Sequence, residues 1–400
     1  LQMVSLTITE KGYRLTNHQG IISPDIQKDF ESGPNQATSY LGKLASLLYT
    51  RFEAGAYPLA LVSLDNMSHN GEKLRQAMLR FVEEWQTRGL VTEAFVDYVK
   101  KGEKITFPWS MIDKITPRPD TTVQKMLEES GLSHMAPTTT SNHTYVAPYV
   151  NGEETQYLII EEAFPNGRPA LDKVGIIFTT RETVNQVETM KVTTCLNPLH
   201  TALAIFGCLL GYESIHEEMQ DEALVGLIQQ LGYQEGLPVV NDPKIIQPKA
   251  FLDEVIQVRF PNPFIPDTPQ RIATDTSQKL AVRFGETLKS YLAQKRDLET
   301  LVAIPLIFAG WLRYLTGIDD NGQPFTLSPD PLAAELTAKF ANFEFAQQSY
   351  TPEIKALLSD STIFGVDLVE IGLAEKTFAL YEELSRQPGA IRQVLAQFKL

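Results

Sequence analysis

Cysteine is scarce in this chain, whose 400 residues include only Cys195 and Cys208. The two thiols have no CxxC spacing, so the sequence offers neither a zinc-ligand cluster nor a disulfide framework. A zinc-dependent reaction would therefore lack its usual ligands. These observations predict a protein that uses no metal and works in a reducing cytoplasm.

Positive charge is also in deficit, since 35 lysines and arginines stand against 49 aspartates and glutamates and give a formal net charge of -14. Nucleic acids and anionic membranes are bound by basic surfaces, so we expect neither as a partner. Apolar runs are short of the ~18 uninterrupted residues of a membrane span, and the start shows no signal-peptide pattern. We expect a soluble protein with a small-molecule partner, either monomeric or homo-oligomeric.

A glycine-rich turn of the form G-x-G-x-x-G, which holds a dinucleotide pyrophosphate at a helix N-terminus, is absent as well. Apolar residues are abundant at 43%, and a length of 400 residues exceeds what one core usually encloses. Strand and helix patterns alternate in the first part of the chain, whereas only helical periodicity follows. The sequence predicts an α/β domain over residues 1–183 and a mainly helical domain over residues 184–400.

The strand patterns of the first part are short. Alternation or continuous apolar character predicts strands at Val4–Thr9, Pro58–Leu64, Tyr157–Ile160 and Val174–Phe178. Before the second of these we expect a polar loop through Asn35 and then a helix. Residues 118–156 are polar, and we expect an irregular excursion there without an assigned function.

The segment from Glu188 to His200 combines an amine, an amide and an imidazole within ten residues. Lys191 can accept a proton if burial lowers its pKa toward the working pH, and Asn197 and His200 can donate hydrogen bonds to an oxygen that gains charge. Such a group suits carbonyl reduction or alcohol oxidation. Asn197 before Pro198 also predicts a helix N-cap. Residue types alone favour the plainer alternative of a surface lysine, a capping asparagine and a packed histidine.

The run Glu-x-x-Lys and then Leu-Asn-x-x-His-Thr-x-Leu-Ala resembles the active-site segment of the long-chain mannitol dehydrogenase family. This family includes mannitol 2-dehydrogenases and the reductases of fructuronate and tagaturonate. The resemblance implies a Rossmann-like dinucleotide-binding domain followed by a helical domain, with NAD, or alternatively NADP, as the coenzyme. It also implies that Lys191 is the general base and that Asn197 and His200 hold the reacting oxygen.

Three further segments of the first part resemble the family in the same order. Residues 63–71, which contain Asn66, follow a predicted strand, and the resemblance places Asn66 near the nicotinamide and the substrate. Asx-turn and capping chemistry are the alternative explanation for this loop. Residues 106–117 include Asp113, which the resemblance assigns to the coenzyme and substrate cleft, as it does Glu188 to the coenzyme. Residues 161–169 match the family's Gly-Arg-Pro turn.

The second part carries a polar motif in residues 262–280, and there the resemblance implies that Arg271 and Lys279 reach the substrate's hydroxyls. Solvated helix charges are the alternative. A carboxylate substrate would also suit the cation Arg313, whose alternative role is to brace helices. This supply of cations favours fructuronate reductase (D-mannonate oxidoreductase), whereas the Asp-Thr-x-x-Arg arrangement before Arg271 favours mannitol 2-dehydrogenase.

Two departures from the family matter. The missing glycine-rich turn suggests that an N-terminal portion is absent or, alternatively, that the protein is a non-catalytic sugar-acid-binding protein that lost its coenzyme site. In addition, Lys191 and Asn197 are six residues apart instead of the usual five. At about 100° per residue, one straight helix would then point Lys191 and His200 in opposite directions. We therefore expect a break at Pro198 or a π-bulge between Val192 and Leu196.

Overall fold

The computed structural model describes residues 1–17, 19–116, 119–141, 143–154 and 156–399. Pro117 of the predicted cleft motif and positions 118, 142 and 155 of the predicted excursion lie outside the described residues. The chain divides into two compact units. The first unit comprises residues 1–114 and 154–188, and the second comprises residues 115–153 and 189–400.

The strands of the chain are short, with the bounds Met3–Leu6 (β1), Leu59–Ser63 (β2), Ile105–Thr106 (β3), Ser110–Asp113 (β4), Thr138–Thr139 (β5), Tyr145–Val146 (β6), Tyr157–Glu161 (β7) and Ile177–Thr179 (β8). In the first unit, β1, β2 and β3 form a parallel sheet in that order, and β4, β7 and β8 form a mixed sheet in that order. β2 is buried along its whole length, as its apolar run predicts.

The first strand ends earlier than its alternating pattern predicts. The carboxylate of Asp65 accepts the backbone N–H groups of Ile8 at 3.0 Å and Thr9 at 2.7 Å, so these groups are not available to a neighbouring strand. Asp65 also accepts the hydroxyl of Tyr13 at 2.5 Å. The carboxylate that follows β2 therefore ends β1 and fixes the loop beside it.

Helices of the first unit span Thr9–Gly12, Pro24–Ser32, Tyr40–Glu53, Asn70–Thr87, Glu93–Lys100 and Arg181–Met190. The last of these helices ends two residues inside the second unit. A 3-10 turn spans Leu171–Val174. The prediction of a polar loop through Asn35 is wrong, because this segment contains a helix. Ile26 and Phe30 lie four residues apart and are buried. The Phe30 ring packs edge-on against the ring of Phe81, with the two ring centroids 4.9 Å apart. Two apolar residues among polar ones were too weak a periodic signal.

Residues 115–153, which the sequence analysis assigned to the first domain, pack with the second unit. They contain a helix, Thr121–Glu129, and the β5–β6 hairpin. Glu153 pairs with Arg259 through two contacts, Nε–Oε2 at 3.0 Å and Nη2–Oε1 at 2.9 Å, and both side chains are 2% exposed. A buried ion pair between residues 106 positions apart holds this segment in place, and no local pattern encodes it.

The second unit is mainly helical. Its other helices span Asn197–Leu210, Ile215–Glu218, Glu222–Gln229, Pro248–Glu254, Pro269–Ile272, Glu286–Ala293, Ala303–Tyr314, Ala333–Ala338, Pro352–Leu358, Ser361–Phe364, Ala374–Leu384 and Ala390–Leu395. Its π-helical turns span Lys191–Cys195, Gln230–Gly236, Val255–Arg259 and Ala281–Gly285, and its 3-10 turns span Leu237–Val239, Thr276–Gln278, Leu298–Thr300 and Ala396–Phe398. The prediction of helical periodicity agrees with this architecture.

Within the described residues, the helical run Arg181–Leu210 is long and apolar enough to cross a membrane, counting its π turn. However, 78% of its most apolar window is buried inside the protein. Core helices of soluble proteins have the same properties, so the run is explained by packing alone.

The helix Ala303–Tyr314 is buried along its whole length, and its first turn depends on a carboxylate. Glu235, itself 1% exposed, accepts the backbone N–H groups of Val302 at 2.8 Å, Ala303 at 2.6 Å and Ile304 at 3.0 Å. The first N–H groups of a helix have no partner within the helix. Glu235 supplies that partner where water cannot.

We expect Glu235→Ala to lower the free energy of unfolding by at least about 2 kcal/mol, because each buried N–H left without an acceptor costs about 1–3 kcal/mol. Urea unfolding followed by circular dichroism measures this change. Glu370→Ala is the control, since Glu370 is exposed and should change stability by less than about 0.5 kcal/mol. Equal effects of the two substitutions would contradict the capping role.

Candidate active site

A π-helical turn interrupts the long helical run at the predicted active-site segment. The backbone N–H of Leu196 donates to the carbonyl of Lys191 at 3.1 Å, five residues back instead of four. The extra residue is absorbed in this turn, as the π-bulge alternative predicted. The next helix begins at Asn197, so Asn197 is not its N-cap as predicted. Leu196 occupies that position, and Pro198 fits the first turn because it needs no N–H partner there.

Lys191 lies on this π turn and is only 4% exposed, which rules out the surface-lysine alternative. The turn is held from the side: the hydroxyl of Thr287 donates to the carbonyl of Thr193 at 3.2 Å. Asn197 is half-buried, and its side-chain amide has no hydrogen-bond partner among the described residues. Its backbone carbonyl accepts a hydrogen bond from the hydroxyl of Thr201 at 2.9 Å. A buried amine and an available amide thus occur within two helical turns.

His200 lies in the first turn of the helix Asn197–Leu210. Its ring is tilted against the ring of Phe260, and the two ring centroids are 5.1 Å apart. Its Nε2 lies 3.2 Å from Oδ2 of Asp267, but the two are not aligned for a hydrogen bond, so this buried nitrogen has no partner among the described residues. Burial, and then the nearby charge of Arg283 and other cations, lowers the pKa of His200 from 6.5 to about 3. At neutral pH the imidazole is therefore uncharged, and the interactions open to it are hydrogen bonds.

The cations near His200 include both residues of the predicted polar motif. Arg271, at the end of a short helix, forms an ion pair with Asp267 while most of its side chain remains exposed. Lys279 is half-buried and donates to the carbonyls of Ile272, at 3.3 Å, and Thr274. Burial, and then the charge of Arg283, lowers the pKa of Lys279 to about 8. Lys279 is therefore not a fully solvated helix charge.

Two further arginines near His200 were missed by the sequence analysis. Arg259 ends one π turn and pairs with Glu153, and Arg283 lies within another and donates to the hydroxyl of Thr201. The four-residue spacing from Lys279 to Arg283 is a helical neighbour spacing and could have indicated the second of them. No local sequence pattern indicated Arg259, because its partner Glu153 is distant in sequence.

Arg313 does not belong to this group. Its side chain is fully buried and donates to the hydroxyl of Thr316 at 2.7 Å and to the carbonyls of Ile318 at 2.6 Å and Asp319 at 3.0 Å. Its guanidinium also lies 4.5 Å from the ring centroid of Phe343. Arg313 therefore braces the end of a helix, and the expectation that it serves a substrate carboxylate is wrong.

In the first unit, polar residues gather where β2 ends. Asn66 is exposed there, and Ser68, two residues later, donates to the carboxylate of Glu188. Asn70 bonds Ser110 of β4 in both directions, with Nδ2 donating to its carbonyl at 2.9 Å and Oδ1 accepting its N–H at 3.0 Å. Asp113, the last residue of β4, is 4% exposed. The structure thus places Asn66 in this loop and Glu188 in contact with it, and Asp113 lies three residues after the Ser110 that the loop binds.

The same loop offers a donor set that fits a nicotinamide coenzyme. The indole Nε1 of Trp109 is buried and has no hydrogen-bond partner among the described residues, and its ring stacks on His69 at 4.4 Å. The exposed amide of Asn66 lies at the carboxyl end of a parallel strand, where open α/β sheets bind ligands. An unpaired indole N–H and an amide can bind the carboxamide end of the coenzyme.

Comparison with known families covers almost the whole chain. Residues 1–173 match the Mannitol dehydrogenase Rossmann domain, and residues 183–385 match the Mannitol dehydrogenase C-terminal domain. The predicted order of a Rossmann-like domain and a second domain is confirmed. The first match begins at residue 1, and this finding does not bear out the expectation that part of the Rossmann domain is missing.

Individual relatives agree with these matches. D-mannonate oxidoreductase of Thermotoga maritima is 50% identical over 99% of this chain and 74% of the relative. Among solved structures, D-sorbitol dehydrogenase in substrate-free form has a TM-score of 0.79 at 26% identity, covering 98% of this chain and 74% of that one. The Pseudomonas fluorescens mannitol 2-dehydrogenase ternary complex with NAD and D-mannitol has a TM-score of 0.65 at 28% identity, covering 99% and 74%. The chain therefore belongs to the mannitol dehydrogenase family and is an NAD-dependent oxidoreductase.

Proposed function

We propose that this enzyme interconverts D-mannonate and fructuronate, a sugar acid and its keto form, and that it acts as a fructuronate reductase. The identity of 50% to a D-mannonate oxidoreductase supports this substrate pair. The cations around the neutral imidazole of His200 support it independently, because a substrate carboxylate would meet positive charge there. The alternative pair is mannitol and fructose, since one structural relative is a mannitol 2-dehydrogenase in complex with NAD and D-mannitol.

The roles that we propose for the second unit concern Lys191, Asn197 and His200. In alcohol oxidation, the substrate hydroxyl gives its proton to Nζ of Lys191, and in ketone reduction Lys191 returns it. Asn197 and His200 donate hydrogen bonds to the reacting oxygen, which carries the developing negative charge of an alkoxide. The neutral state of His200 supports this role, because the imidazole keeps one N–H to donate and does not compete with Lys191 for the proton.

The coenzyme and the rest of the substrate would be held by the remaining predicted residues. We propose that Asn66, Asp113 and Glu188 bind NAD, which when bound supplies the hydride acceptor for alcohol oxidation. NADP is the alternative coenzyme. Asn66 also serves the reacting oxygen, and Arg271 and Lys279 bind substrate hydroxyls.

We further propose that the domain predicted over residues 1–183, without the segment 115–153 that packs with the second unit, acts as the coenzyme domain. The domain predicted over residues 184–400 would act as the catalytic domain, and the enzyme would be cytoplasmic. Cys195 and Cys208 are both free and buried, which agrees with a reducing compartment. Burial raises the pKa of both thiols to about 12, so neither is a reactive thiolate.

Lys191→Ala should lower the turnover number about 10²- to 10⁴-fold, because general base catalysis typically contributes that factor. Turnover is measured by NADH absorbance, and NADH binding, measured by fluorescence titration, should remain nearly unchanged. Lys289→Ala is the control, since this half-exposed lysine has Glu286 on its own helix as its one ion-pair partner among the described residues. A Lys191→Ala enzyme with more than a tenth of wild-type turnover would exclude Lys191 as the base.

His200 should remain neutral between pH 5 and pH 9. Its pKa of about 3 in the folded protein lies below the value near 6.5 of an unfolded chain, so the unfolded chain binds the extra proton first. The stability that this difference contributes is present above about pH 6.5 and is lost as the pH falls toward 3. The ring Cε1–H shift, assigned by loss of its signal in His200→Gln, reports the protonation state by NMR. A midpoint near 6.5 for that signal is the outcome that would refute neutrality.

Wild-type enzyme should reduce fructuronate with a higher kcat/KM than fructose, by at least about tenfold if one charged hydrogen bond to the carboxylate contributes about 1.5–3 kcal/mol. Both reactions are followed by NADH oxidation at equal coenzyme concentration. A preference for fructose would favour the mannitol 2-dehydrogenase alternative, and turnover of neither compound would refute both substrate pairs.

A further inference from the structure

We propose that Arg283 binds the carboxylate of the substrate and thereby selects sugar acids over neutral polyols. This inference rests on the proposed function and deepens it by naming the residue that determines the substrate class. It assigns to Arg283 a role that differs from hydroxyl binding by Arg271 and Lys279.

The charges around His200 are unequally compensated. Arg271 pairs with Asp267, and Arg259 pairs with Glu153 through two hydrogen bonds. Arg283, in contrast, has no carboxylate within ion-pair distance among the described residues. Of the four neighbouring cations, it also has the largest charge effect on His200. Lys279 also forms no ion pair among the described residues, but the charges of Asp275 and Asp330 raise its pKa and so partly compensate it, whereas burial is the cause of the lowered pKa of Arg283. Arg283 is therefore the least compensated of these cations.

Burial makes this lack of a partner costly. Arg283 is half-buried, and burial lowers the pKa of its guanidinium to about 10. A buried charge without a counter-ion is unfavourable, and such groups concentrate at sites where a ligand supplies the opposite charge. A carboxylate is the anion that matches the planar guanidinium, because two parallel N–H donors can bind its two oxygens.

The backbone holds Arg283 in a fixed position relative to the proposed catalytic residues. It lies on the π turn Ala281–Gly285, and its Nη1 donates to the hydroxyl of Thr201, the residue after His200. The helix that follows this turn contacts the Lys191 turn, where the hydroxyl of Thr287 donates to the carbonyl of Thr193. Arg283 is thus anchored beside both His200 and the turn that carries Lys191.

A purely structural role is the alternative, and Arg313 indicates what such a role involves in this protein. Arg313 makes three hydrogen bonds, and its Nε is sealed from solvent. Arg283 makes one hydrogen bond, to a neutral hydroxyl, and none of its nitrogens is among the sealed, unpartnered atoms of the described residues. Since a guanidinium has five N–H donors, most of those of Arg283 are left open to a ligand.

The test measures binding, so that it is independent of turnover. D-mannonate and D-mannitol are titrated by calorimetry into the enzyme saturated with NADH, a combination in which no hydride can move because both partners are reduced. We expect the preference of wild type for D-mannonate to fall at least about tenfold in Arg283→Gln, a difference of about 1.4 kcal/mol. Glutamine can still bond Thr201 but carries no charge. Arg283→Met is the second variant if the glutamine variant does not fold.

Two further variants separate the charge from the brace. Thr201→Val removes the hydrogen bond of Arg283 and keeps its charge, so the preference for D-mannonate over D-mannitol should stay within about threefold of wild type. A purely structural role of Arg283 predicts instead the same loss of preference as in Arg283→Gln. Arg283→Lys should restore part of the preference. Arg271→Met should weaken the binding of both compounds in parallel, because we assign it to hydroxyl groups.

The outcomes distinguish this inference from the proposed function. An unchanged preference in Arg283→Gln, or equal losses in Arg283→Gln and Thr201→Val, would overturn the role of Arg283 while leaving the reaction intact. A wild type that binds D-mannonate through Arg283 but oxidises none of it with NAD would refute the proposed reaction and leave the carboxylate site standing. A wild type that binds neither compound would overturn both.

Discussion

The hydrogen bond from the N–H of Leu196 to the carbonyl of Lys191 is the constraint on which the candidate site depends. It closes a π turn and lets the chain accommodate one more residue between Lys191 and Asn197 than the family usually has. Without this turn, a straight helix would direct Lys191 and His200 to opposite sides. With it, the helix restarts at Asn197, and His200 falls in the first turn, where the positive end of the helix dipole favours an oxygen that gains charge.

The electrostatic potential around that turn depends more on the burial of the charged groups than on their number. The chain as a whole is acidic, yet four cations affect His200. Two of them are neutralised by Asp267 and Glu153, and the low-dielectric surroundings amplify the effect of those that remain. A local cluster of cations within an acidic protein suits the anionic substrate that we propose.

Buried carboxylates and amides organise the scaffold in both units. Asp65 ends a strand, Asn70 ties a loop to a neighbouring strand, Glu153 anchors a polar segment, and Glu235 caps a buried helix. Each of them satisfies backbone or charged groups that would otherwise be buried without a partner, which is costly. Several residues that resemble family motifs therefore serve the fold. Such motifs indicate the position of the site indirectly, because the site depends on the local structure that these residues stabilise.

The sequence by itself determined the two-domain order, the buried strand at residues 59–63, the helical second part and the extra residue between Lys191 and Asn197 that the π turn absorbs, because each depends on local periodicity or short spacing. Only the tertiary structure decided that Arg313 is a brace, that residues 115–153 pack with the second unit, and that Arg283 lies near His200 without a carboxylate partner among the described residues. These features depend on which residues distant in sequence meet and on how far each is removed from water. Neither quantity is encoded in a local pattern, and so a sequence motif can name a cation but cannot tell whether it is compensated.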